Sequence, residues 1–114
     1  YEDIKDFKIE TNDFLIFKTK NSFSEKFDYD FIYLEESAAS YLANKKIRGV
    51  GIDALGIERA QANHPTHKIL LSQNIIILEG LRLKEVPEDT YEMFCLPLKI
   101  ANVEALPVRA ILIK

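Results

Sequence analysis

The chain has 114 residues and a mass of 13.1 kDa, the size of one modest domain with a single core. Hydrophobic residues make up 47% and charged residues 29%, a globular composition that excludes a disordered or fibrous chain. Fifteen basic residues against eighteen acidic ones give a net charge of −3 and a pI near 5.4, which argues against a nucleic-acid partner held by a dense basic patch. The single cysteine, Cys95, can close no intrachain disulfide and build no cysteine-rich zinc cluster, so a reducing, cytoplasmic location is expected, with a disulfide-free exported protein as the alternative. No apolar run approaches the roughly 18–20 residues that span a bilayer, and no signal-peptide pattern opens the chain, so no membrane partner is expected. Tyr1 stands first in place of methionine, which leads us to expect an upstream segment. There is no repeat, linker or low-complexity tract, and residues 1–114 read as one domain or part of one.

Residues 1–11 alternate acidic and basic side chains around Ile4, Phe7 and Ile9, as a short helix or an irregular lead-in would. Asn12-Asp13 signals a turn, and the apolar, aromatic run 14–19 predicts a mostly buried strand. The polar stretch 21–30 reads as a surface loop anchored by Phe23, Phe27 and Tyr29. Over 35–46, Ala38, Ala39, Tyr41, Leu42 and Ala43 form a stripe at helical spacing. Glu35 and Glu36 at its start and Lys45 and Lys46 at its end suit the helix dipole. A short strand is predicted over 47–52, where Gly49 and Gly51 allow close backbone approach and Asp53 closes the run. Residues 56–63 read as loop, and Pro65 can occupy the first turn of a helix to about residue 73. The β-branched run 75–78 predicts a strand buried on both faces and ended by Glu79-Gly80. A turn at 87–89 precedes two last strands, 91–98 and 108–113, joined by the loop 101–107. The order is that of a mixed α/β fold.

Both histidines lie in His64-Pro65-Thr66-His67. Imidazole is neutral and ligating near pH 7, so metal and acid/base sites draw on it heavily. Twelve positions after His67, Glu79 terminates the most apolar run, where an ionised carboxylate is costly unless paired or bound to a cation. A histidine at a helix head and a glutamate at the end of the following strand can meet at the carboxyl edge of a sheet, where α/β proteins bind ligands. Each has a structural reading beside the functional one. The histidines can cap or pack, Glu79 can be an exposed strand-end carboxylate, and Asp53 serves as readily in a turn as in a site. His-x-x-His lacks the glutamate and the i, i+4 spacing of a zincin helix, and Cys95 reads as a small core residue.

Several motifs, in order, resemble the cyclase family of metal-dependent hydrolases, which includes bacterial kynurenine formamidases (arylformamidases) and isatin hydrolases. Asn12-Asp13-Phe14-Leu15-Ile16-Phe17-Lys18-Thr19 is similar to the family's GDxVLxxT strand. Gly49-Val50-Gly51-Ile52-Asp53-Ala54-Leu55 resembles its GxGxD strand end. The likeness continues through His64-Pro65-Thr66-His67-Lys68-Ile69-Leu70-Leu71 and Ile77-Leu78-Glu79-Gly80-Leu81. It closes with Leu96-Pro97-Leu98-Lys99-Ile100 and Pro107-Val108-Arg109-Ala110, so that it covers about residues 12–114.

The resemblance implies an α/β domain with a mixed sheet or a barrel-like β/β/α architecture, of which residues 1–114 are the C-terminal portion, incomplete at the N-terminus. It implies a divalent metal, zinc or manganese, in a site that is often binuclear, with His67 and Glu79 as ligands and Glu79 able to bridge two ions. His64 and Asp53 are additional candidates, as a further ligand or a supporting residue. The family's remaining ligands lie in an early motif, His-x-Gly-Thr-His-x-Asp-x-Pro-x-His, which this sequence lacks, and the family's proton shuttle belongs to that motif. No acid/base residue is therefore assigned here. The implied activity is hydrolysis of a small-molecule amide C–N bond, arylformamidase-like, by a homo-oligomer. The alternatives are a catalytically inactive half-domain kept as an assembly or binding module, and an unrelated α/β domain with a structural histidine.

Overall fold

Three short apolar runs are separated by two amphipathic helical segments, and connections of that length make neighbouring strands parallel. In the computed structural model, which describes residues 1–114, β1 (Phe14–Phe17), β2 (Gly49–Ile52) and β3 (Ile76–Leu78) form such a sheet in the order β1-β2-β3. Phe14 pairs with Gly49 and Phe17 with Ile52, while Gly49 and Gly51 face Ile76 and Leu78 across the other edge. Helix α1 (Glu36–Asn44) links β1 to β2, and α2 (Pro65–Ser72) links β2 to β3.

Helix α1 buries Ala38, Ala39 and Leu42, and it stops where Lys46 takes the left-handed conformation, φ 56°. Helix α2 starts on Pro65, which has no N–H to leave unsatisfied, and buries Thr66 and Leu70. These side chains join Ile47, Val50, Ile52, Ala54, Ile57 and Ile75 in one core, closed below by Ile4 and Ile9 of the lead-in and by Phe31 and Leu34. Residues 1–11 form turns and no helix, with the Tyr1 ring against Tyr41 at 5.2 Å between centroids.

The central strand is buried along its whole length. Val50 and Ile52 join the core, and the two glycines leave room for large neighbours. A Cβ on Gly49 would stand 2.2 Å from a ring carbon of Phe14, and one on Gly51 would stand 2.7 Å from Leu81 Cδ1.

Two expectations are corrected. The run ending in Leu78 is not buried on both faces, because Ile76 keeps 48% of its surface exposed. It lies at the sheet edge, and burial on both faces falls to β2 instead. The loop before α1 is not anchored by Phe23, Phe27 and Tyr29, which are exposed. Its anchors are Phe31, which is buried, and Asn21, whose amide donates to Ile32 O at 2.8 Å and accepts from Ile32 N at 2.9 Å.

Strands β4 (Glu92–Pro97) and β5 (Val108–Ile113) form a separate antiparallel ribbon, with Phe94 opposite Ile111. Neither strand lies against the parallel sheet or its helices. The architecture is mixed α/β, as expected, with parallel and antiparallel pairing in separate sheets. No helix is long and apolar enough to cross a membrane. Gly49→Ala is expected to destabilise the fold by about 1–3 kcal/mol, since the Phe14 ring must move. Gly51→Ala meets only the flexible end of Leu81 and should cost less, a ranking that urea unfolding midpoints will read directly.

Candidate metal centre

The carboxyl ends of β2 and β3 and the first turn of α2 converge on one edge of the sheet. Glu79 follows β3 directly, and Gly80, at φ 68°, turns the chain so that Gly80 N donates to Ala54 O at 2.7 Å. Leu81 N then donates to Ile52 O, which returns the chain across the end of β2. Glu79 Oε1 accepts from Ile57 N at 2.7 Å, so its position is set by the loop that follows β2.

His67 is the third residue of α2. Its Nε2 stands 3.4 Å from Glu79 Oε1, with about a third of each side chain exposed. The structure thus brings the two expected ligand residues together at an accessible edge. The other ring nitrogen, Nδ1, lies 2.6 Å from Oε1 of Glu58, a residue on the loop after β2 whose side chain is only 2% exposed. The same oxygen accepts the backbone N–H of His67 at 2.9 Å, while Oε2 accepts from Gln61 Nε2 at 2.7 Å. Burial by itself raises the Glu58 pKa, but the bonds from His67 and Gln61 outweigh it and hold the carboxyl below its ordinary 4.5.

Gln61 extends this network. Its amide also donates to Thr66 Oγ1 at 2.8 Å, and its Oε1 accepts the first N–H of α1, that of Glu36, at 3.0 Å. Thr66 Oγ1 donates in turn to Leu34 O at 2.8 Å. No buried side-chain nitrogen or oxygen is left without a partner.

The other candidates fall differently. His64 Nδ1 lies 4.0 Å from Glu58 Oε1, and its ring sits edge-on to His67 with centroids 6.1 Å apart. It is exposed, at the head of α2 in a left-handed conformation. Asp53 is turned to another task. Its carboxylate accepts from the N–H and hydroxyl of Thr19 at 2.7 and 2.8 Å and from Ser22 N at 3.1 Å. The Ser22 hydroxyl and the Asn21 amide add two more bonds, so Asp53 consolidates the turn after β1.

The donor set suits a divalent cation. With Nδ1 occupied by Glu58, Nε2 is the free ring nitrogen, and it faces a carboxylate oxygen at 3.4 Å, close enough for one cation to touch both. A ligating imidazole bonded through its other nitrogen to a carboxylate is the usual arrangement of zinc sites. A catalytic zinc takes three protein ligands, and His67 and Glu79 could supply two of them. Glu58, His64 and His67 also place one donor atom each within 4.8 Å of one another.

Glu58 and Gln61 were not singled out by the sequence, which reads 56–63 as loop. A signal does exist. His64-Pro65 opens a helix without Ser, Thr, Asp or Asn at its cap, so the first N–H groups of α2 need an acceptor from elsewhere.

A model of the family described as "Putative cyclase" matches residues 1–59. Cyclase-like protein 3 of Oryza sativa subsp. japonica is 35% identical over 107 residues, covering 88% of this chain and 40% of its own length. Kynurenine formamidase of Polaromonas naphthalenivorans is 41% identical over 83 residues, covering 72% of this chain and 37% of its own. A solved structure described as a potential metal-dependent hydrolase with cyclase activity superposes with a TM-score of 0.96 at 58% identity, covering 97% of this chain and 55% of that one. The chain therefore spans about two fifths of the length of these curated relatives and about half of the solved chain.

Because the folded chain holds the Glu58 carboxyl below its ordinary value, these contacts stabilise the fold fully above about pH 4.5 and are lost as pH falls through the folded value. Unfolding free energy should therefore decline on the acid side. The same measurement on Glu58→Gln should show a shallower acid limb.

Proposed function

The chain belongs to the cyclase family, and from that premise we propose that it supplies one part of the metal centre of a metal-dependent hydrolase acting on an amide C–N bond. The observation that carries this reading is the approach of His67 Nε2 to Glu79 Oε1 at 3.4 Å, at the carboxyl edge of a parallel sheet. Relatives named kynurenine formamidase support an arylformamidase-like substrate, a formylated aryl amine. Zinc and manganese both suit a histidine and carboxylate donor set.

In this reading His67 and Glu79 would hold the ion, the imidazole through its free nitrogen and the glutamate through its carboxylate. A bound divalent ion would lower the pKa of a water toward neutrality and polarise the carbonyl under attack. The chain's own residues orient that centre. Ile57 N–H fixes one Glu79 oxygen, and Glu58 holds the His67 ring. His64 stands at the rim, exposed and next to His67, where it can serve as a further ligand or meet substrate. Asp53 is fully engaged by Thr19, Asn21 and Ser22, and its part is to hold the turn after β1.

With two ligands present, the 114-residue chain alone is expected to bind zinc weakly and to show no metal-dependent hydrolysis of formylated aryl amines. Zinc titration followed by NMR should perturb His67 and Glu79 first. Turnover that vanishes with chelator and returns with metal would show that the ligand count is wrong. An absence of any zinc effect at these two residues would overturn the metal reading.

A role in assembly is a second reading, and the ribbon favours it. One face of β4 and β5 carries Phe94, Leu96, Ile111 and Ile113, all exposed, and its edges are unpaired. Such a surface invites another chain. Sedimentation at low micromolar concentration is expected to show self-association, and a monomer that unfolds cooperatively would count against it.

A further inference from the structure

The group of Glu58, His64 and His67 invites the reading that Glu58 is itself a metal ligand. Its hydrogen bonds argue otherwise. Oε1 already accepts both the backbone N–H of His67 at 2.9 Å and the ring at 2.6 Å, and Oε2 accepts from Gln61. The side chain is 2% exposed, whereas the ring of His64, the third member, is 76% exposed and 4.0 Å away. An ion at Oε1 would have to displace two bonds, one of them to the first turn of α2.

We infer that Glu58 is the positioning residue for His67: it sets the imidazole as the Nδ1–H tautomer and leaves Nε2 as the donor atom beside Glu79. An ionised carboxylate only accepts hydrogen bonds, so the 2.6 Å contact places the ring proton on Nδ1. The lone pair of the neutral ring then belongs to Nε2. Glu58 also accepts the N–H of the very residue whose ring it holds, so one oxygen ties the imidazole to the helix axis. That bond answers an N–H of the first turn that the head of α2 leaves open, because His64 makes no side-chain cap bond. Gln61 fixes the other oxygen, which prevents the carboxylate from turning away.

The purpose of this arrangement rests on the metal-hydrolase reading above, while the geometry does not. The test separates the two. Imidazole 15N shifts of the metal-free chain, taken at a pH where the His67 ring is neutral, are expected to report the Nδ1–H tautomer. Glu58→Leu should return the ring to the Nε2–H form that histidine favours in water, whereas Glu58→Gln keeps an acceptor oxygen and should stay closer to the wild type. In the same samples, zinc alone is the probe. Glu58→Leu is expected to weaken zinc binding at His67 about 10–100-fold, the effect typical of removing such a partner.

A wild-type ring in the Nε2–H form overturns the positioning role, whether or not any variant folds. A tautomer and zinc affinity unchanged in folded Glu58→Leu overturn it as well. If the wild type and His67→Ala bind zinc equally, the metal reading fails, and the tautomer alone then decides the role of Glu58.

Discussion

A carboxylate withdrawn from water must have its charge answered by hydrogen-bond donors, and Glu58 is the place where this chain meets that demand. The donors come from His67 and Gln61, which lie on different segments. Gln61 passes the connection to Thr66 and to the first N–H of α1. The heads of both helices, the loop after β2 and the imidazole of His67 are thus coupled through one buried polar network. Such networks are stabilising only when every member is satisfied, and here none is left without a partner.

The two acidic residues that follow β2 show how environment assigns roles to like groups. Asp53 comes first and turns to the segment after β1, where Thr19, Asn21 and Ser22 occupy it. Glu58, five residues on, reaches the head of α2 instead. Each holds a crossover of the sheet in place, and only the second touches the candidate centre. Glu79 differs from both because it is partly open to solvent and keeps an oxygen free of protein donors. A side chain held by one backbone bond and otherwise accessible is suited to take a ligand.

The ribbon has the opposite character. Its strands pair with each other and with nothing else in the chain, and large apolar side chains remain uncovered. The parallel sheet closes its own core, from Ile4 to Ile75, around the buried strand β2. This asymmetry accords with a chain that spans about half of the solved relative it matches. The apolar face of the ribbon and the His67–Glu79 edge are both accessible surfaces.

The sequence by itself determined the elements and their order. Helical spacing of Ala38, Ala39 and Leu42, proline at the head of α2 and short β-branched runs are local signals, and local backbone and side-chain preferences carry them. It also raised His64, His67 and Glu79, because imidazole is rare in this chain and a carboxylate closing an apolar strand is costly, and the family resemblance chose His67 and Glu79 among them. Strand order was decided only in three dimensions. An edge strand and a central strand can have the same composition, so the run ending in Leu78 looked doubly buried until β2 took the middle. Tertiary structure alone also identified Glu58: the uncapped head of α2 signals that an acceptor is needed, but nothing in the sequence says which residue supplies it. Hydrogen bonds between segments depend on where the chain returns in space, and at this edge that return is set by the packing of two helices against one sheet.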